Sequence, residues 1–174
     1  MDHPDLNDGA ECLRYAKEAL RAPFSEGEPA IAKSVYWAFE YALFVLKAPF
    51  PLGESTIAEH ADIAVRYAAE VLHGPFPLGE PEIAKSYKSS FNYARNAIKG
   101  PFPEGEKAIS KDAWASFHYA KNILKTPFPA GEKAIKKDKH FWVDYQDLFF
   151  GRSHLSSQDY DESIISRIDK ALQS

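Results

Sequence analysis

The 174-residue chain contains one cysteine, Cys12, and one methionine. A lone thiol excludes an internal disulfide and any zinc site built from cysteines. No run of about 18 apolar residues occurs, so no segment reads as a transmembrane helix. The opening stretch from Met1 to Asp8 is polar and acidic, unlike a secretory leader. Together these features lead to the expectation of a protein of the reducing cytoplasm. The chain also lacks any excess of positive charge. A net charge of −4 argues against general electrostatic capture of nucleic acid or of an anionic membrane.

Signatures of chemistry are equally scarce. The six histidines (His3, His60, His73, His118, His140 and His154) include no His-Glu-x-x-His and no pair spaced to face one metal from one helix. No glycine-rich phosphate loop occurs, because each recurring glycine stands alone before a glutamate, which repels phosphate. No Gly-x-Ser-x-Gly or other nucleophile context is present. The sequence therefore offers no catalytic residue, no metal-ligand set and no cofactor motif.

What the chain does have is a repeat. Pro-Phe recurs at Pro23-Phe24, Pro49-Phe50, Pro75-Phe76, Pro101-Phe102 and Pro127-Phe128, each 26 residues after the last with no insertion. The same period carries Gly27, Gly53, Gly79, Gly105 and Gly131, then Glu28, Glu54, Glu80, Glu106 and Glu132. It also carries Ile31, Ile57, Ile83, Ile109 and Ile135. A tyrosine row, Tyr15, Tyr41, Tyr67, Tyr93, Tyr119 and Tyr145, begins one unit earlier.

Each unit reads as two helices. Pro49 and Pro51 bracket Phe50 and predict a stiff non-helical connector. Gly53 is expected to supply a tight bend, and Glu54 to open a short helix ending near Glu59, with its carboxylate on the free backbone donors. That role suits the glutamate row better than a line of cation ligands does. Ser34, Ser86, Asp112 and Asp138, with His60 as the departure, predict a second N-cap. A longer helix follows, as over Val35 to Lys47, its apolar face marked by Val35, Ala38, Phe39, Ala42, Val45 and Leu46. It ends in a basic residue, Lys47, His73, Lys99 or Lys125, favourable at the negative end of the helix dipole. The tyrosine rings are expected to be buried, with hydroxyls at the edge.

One unit cannot bury such a face alone, so the units must stack. The expected fold is all-α: a right-handed-type α-solenoid of six 26-residue helical-hairpin repeats with a C-terminal capping helix, a curved rod roughly 50 Å long. A single domain over residues 1–174 divides into an N-terminal partial repeat (1–22), five Pro-Phe-x-x-Gly-Glu repeats (23–150) and the cap (151–174). Ser156-Ser157 would start the capping helix, with Tyr160, Ile164, Ile165, Ile168 and Leu172 on its apolar side.

Phe-Pro-Glu-Gly-Glu-Lys-Ala-Ile at 102–109, with Tyr119-Ala120 ten residues beyond, resembles the short helical repeats (Phe/Trp-Pro-Glu-Gly/Ala-Glu type) of uncharacterised proteins in tailed bacteriophages and bacteria. The likeness covers about residues 21 to 150 and departs from the pattern at Leu52, Leu78 and Ala130, where the first glutamate would stand. It implies an α-solenoid, a phage origin and no catalytic residues. It also points by analogy to an inhibitor or adaptor of a host or defence complex, such as an anti-CRISPR.

Positions that vary between copies carry the functional expectation. One stripe of the long helix reads Tyr36, Glu40, Phe44, then Asp62, Arg66, Glu70, then Lys88, Asn92, Asn96, then Trp114, His118, Asn122, then His140, Asp144, Leu148. The competing reading is an ordinary solvated face. As a binding surface, it offers Tyr36, Phe44 and Trp114 as aromatic anchors, with Trp37 alongside and Glu40, Arg66, Lys88, His118 and His140 as polar contacts. The expectation is a non-enzymatic repeat protein acting through a protein–protein interface. Two alternatives are a nucleic-acid or nucleotide binder using lysine rows (Lys33, Lys85, Lys111, Lys137 and Lys99, Lys125) with the aromatics, and a self-assembling component that forms a homo-oligomer.

Overall fold

The computed structural model describes residues 3–151, and the capping helix expected beyond Gly151 lies outside them. Among the described residues the chain is a helical-repeat solenoid with no strand. Short helices stack on one another in one layer and long helices in a second, each short helix packing on the long helix of the preceding unit.

The long helices begin at caps. Asp8, Asp112 and Asp138 accept backbone N–H bonds, for Asp112 from Ala115 at 2.8 Å, and Ser86 accepts one from Ser89. Ser34 and His60 make no such bond, although the chain turns extended at both. Near their ends most long helices widen into π turns, as over Tyr41–Leu46, Ala68–Leu72 and Ala120–Leu124. The Ala42 carbonyl thereby accepts from both Lys47 and Ala48 N–H, and the helix stops.

The stop places a basic residue in left-handed backbone in every unit but the last: Arg21, Lys47, His73, Lys99 and Lys125 have φ between 51° and 56°. Glycine fills the same column only at Gly151, with φ 62°. The sequence pointed to the helix dipole at these basic residues but not to their left-handed geometry.

Three other expectations are corrected. The second proline is helical rather than part of the connector: short helices begin at Pro51, Pro103 and Pro129, where the missing N–H is an orphan donor in any case. The repeated glycine makes no bend, since Gly27 and Gly79 have ordinary right-handed helical φ and ψ. Its requirement is closeness. A Cβ on Gly53 would fall 2.6 Å from the Phe50 ring and 2.8 Å from Ala38 Cβ of the previous unit. The column it meets is therefore small: Cys12, Ala38, Ala64, Ser90 and Ser116.

The third correction concerns tyrosine and glutamate. The glutamates make no cap on the short helices. Instead the hydroxyls of the row from Tyr41 to Tyr145 are drawn inside and bonded twice, whereas Tyr15 at the start of the row is only half-buried. Tyr67 Oη accepts the Phe50 N–H at 2.8 Å and donates to Glu54 Oε1 at 2.8 Å. The same pair of bonds recurs at Tyr41, Tyr93, Tyr119 and Tyr145. The five rings are fully buried, as are the five isoleucines. The alanine column from Ala16 to Ala120 is fully buried where long helices meet, and Gln146 ends it.

The sixth unit departs from the column that meets the glycines. Trp142 occupies the small-residue column, with Lys136 Nζ 4.6 Å from its ring centroid.

Three outcomes follow. Tyr93→Phe leaves the buried Phe76 N–H and the Glu80 carboxylate without their partner, and urea unfolding should show a loss of about 2 kcal/mol. Lys99→Gly relieves the left-handed backbone and should raise stability by about 0.5–1 kcal/mol in the same assay. Burial, against the opposing Phe24 N–H bond and assisted by Glu28, pushes the Tyr41 hydroxyl up to about 12, and Tyr67, Tyr93, Tyr119 and Tyr145 are raised likewise. Stability from these neutral hydroxyls is complete below the unfolded tyrosine pKa of about 10 and is lost as pH rises through the folded values. Tyrosinate absorbance and loss of helical circular dichroism should therefore coincide in one steep alkaline transition.

Candidate functional site

The outer face of the long helices carries the variable stripe, and the structure shows three of its aromatics in solvent. Tyr36 is 64% exposed, Phe44 54% and Trp114 45%. Trp37 is different: it is half-buried against the core, its ring lying where a Cβ on Gly9 would come within 2.6 Å. Tyr36 and Trp114 are three units apart, a separation of about 24–30 Å at 8–10 Å per packed helix. No single pocket can unite them.

The polar members are held by neighbours. Glu40 accepts from Lys17 Nζ at 2.9 Å, and that ammonium also sits 4.9 Å from the Phe44 ring centroid. Arg66 makes a two-point pair with Glu70 at 2.8 and 3.2 Å and lies over the Phe39 ring of the adjacent unit. Lys88 lines a shallow groove of about 280 Å³ between the third and fourth long helices, together with Asp62, Asn92 and Arg95. His140 is exposed, and its backbone N–H is bonded to Asp138.

His118 belongs to a ladder of rings that crosses units. Its imidazole lies 4.5 Å from Trp114 and 5.1 Å from Phe117, while Trp114 meets Phe91 edge-on at 5.0 Å and Phe117 stacks on Phe141 at 5.4 Å. Partial burial, then the nearby Lys121, lowers its pKa, favouring a neutral ring against the indole. Trp114 is therefore a supported anchor, with one flank packed and the other open.

The two lysine rows are separated by the length of a long helix, about 18 Å. Lys33, Lys85, Lys111 and Lys137 stand where short helices end, Lys85 pairing with Glu82, whereas Lys99 and Lys125 stand at the long-helix C-termini. Arg95 and Lys121, four residues before the stripe's neighbours Lys99 and Lys125 and exposed like them, share that outer face; reading down a single stripe passed over them.

Among the described residues, no three His, Cys, Asp or Glu side chains converge as a metal site would require. Nor is any helix among them long and apolar enough to cross a membrane. No protein-family model matches the chain, and no significant match was found to a curated protein or to a solved structure.

Proposed function

We propose that the chain is a non-enzymatic helical-repeat binding protein that presents the outer face of its long helices to another protein. The observation that carries this reading is the solvent exposure of Tyr36, Phe44 and Trp114 on helices whose opposite faces are locked by the repeat. Large aromatics cost little conformational entropy to bury at an interface and supply much of its energy. Placed on helices that are themselves fixed, they lose little freedom on binding. The likeness of 102–109 to phage repeat proteins extends the reading to an inhibitor or adaptor of a host or defence complex, acting in the cytoplasm.

The test is a tagged pull-down from bacterial lysate with and without nuclease, followed by titration of the captured protein against variants. Tyr36→Ala and Phe44→Ala, at sites that contribute little to the core, should each weaken binding about tenfold or more with circular dichroism unchanged. Trp114→Ala should do the same at the other end of the face. Full affinity in all three variants would remove this surface from the interface. A partner lost on nuclease treatment would replace the protein with nucleic acid.

A further inference from the structure

Charge is not spread evenly over the outer face. The fourth and fifth long helices, residues 87–99 and 113–125, contain no aspartate or glutamate, whereas each of the other four carries at least one. On them stand Lys88, Arg95, Lys99, Lys121 and Lys125, all exposed. None of the five pairs with a carboxylate among the described residues. Arg95 is instead braced by neutral groups, its guanidinium donating to Asn96 Oδ1 at 3.0 Å and Asn92 Oδ1 at 3.4 Å, and Lys121 leans over Phe117. A chain of net charge −4 thus keeps five unpaired cations together on two adjacent helices.

We infer that this patch docks a short acidic segment of the polypeptide partner, a proposal that rests on the protein-binding reading above. The charge complementarity is local, and its limits select the occupant. On one side the third helix presents Asp62, at the edge of the groove beside Lys88, and Glu70, already paired with Arg66; on the other the sixth presents Asp144 and Asp147. A long polyanion following the stack would meet carboxylates at both borders. A patch of two helices at 8–10 Å each is about 20 Å across, the span of about six extended residues. Trp114 opens onto the same patch and offers an apolar contact to one hydrophobic residue within the acidic run.

The probes are a short glutamate-rich peptide with a central leucine and an oligothymidylate of matching length, each titrated into the isotope-labelled full chain. The peptide should shift the backbone amides of Lys99 and Lys125 and the side-chain amides of Asn92, Asn96 and Asn122, with affinity falling as salt rises. Lys99→Glu combined with Lys125→Glu should weaken the peptide roughly tenfold or more. Lys33→Glu combined with Lys137→Glu, at the other end of the units, should leave it unchanged. Tighter binding of the oligothymidylate at the same residues would overturn the choice of a polypeptide, and no binding of either probe would overturn the site. If the protein captured by pull-down binds the Lys99→Glu, Lys125→Glu chain undiminished yet loses the Phe44→Ala chain, the acidic-segment proposal fails while the protein-binding reading stands.

Discussion

One hydroxyl per unit holds the array in register. The Phe50 N–H is buried between two prolines, which supply no backbone donor of their own, and Tyr67 Oη is its acceptor. The same oxygen gives its proton to Glu54, the glutamate of the short helix. Connector, short helix and long helix are thus tied at a single buried atom, with spans of 17 and 13 residues that are identical in all five copies. An insertion inside either span would orphan a buried donor and a carboxylate together, at a cost of about 1–3 kcal/mol for each neutral group and more for a charge. The absence of insertions between each of these phenylalanines and its tyrosine has its physical cause here.

The same tyrosines couple one unit to the next. Tyr41 bonds the phenylalanine amide that opens its own unit, while its ring meets the next unit's Phe50 edge-on at 5.1 Å. Tyr67 with Phe76, Tyr93 with Phe102 and Tyr119 with Phe128 repeat this contact. Glycine against a column of alanine, serine or cysteine then sets how closely the layers approach. Each unit completes its neighbour's core, as stability built from nearest-neighbour interfaces requires.

The architecture was legible in the sequence because identical residues recur at one period and the apolar spacing of the long helices is regular. The roles of Glu54 and Gly53 were not. A repeat reports that a column matters but not which distant column it touches, and helix-start chemistry offered a plausible local partner for the glutamate. The left-handed residues were hidden for a related reason: glycine usually marks that geometry, and here lysine, arginine or histidine occupies it until Gly151. At the candidate site the exposure of Tyr36, Phe44 and Trp114 followed from their place off the apolar stripe. The half-burial of Trp37 and His118 did not, because it is set by residues of other units such as Gly9 and Phe141. The cationic patch was missed because it runs across two helices rather than down one.

Local energetics run against that patch as a device for stability. In the third unit, Arg66 and Glu70 form an i,i+4 pair of the stabilising sign. The corresponding positions of the fourth and fifth units, Asn92 with Asn96 and His118 with Asn122, carry no such ion pair, and nothing in either helix offsets Arg95, Lys99, Lys121 and Lys125 with a carboxylate. Lys99 and Lys125 also bear a left-handed backbone, with a cost of about 1–2 kcal/mol for a residue with a Cβ. A cation at a helix C-terminus gains only about 0.3–1 kcal/mol from the dipole. Glycine at these two positions would serve folding better. The interior tolerates such choices because its hydrogen bonds and close contacts lie on the opposite faces of the same helices. An acidic ligand accounts for the arrangement where the fold alone does not, since its carboxylates would turn five mutually repelling charges into complementary contacts.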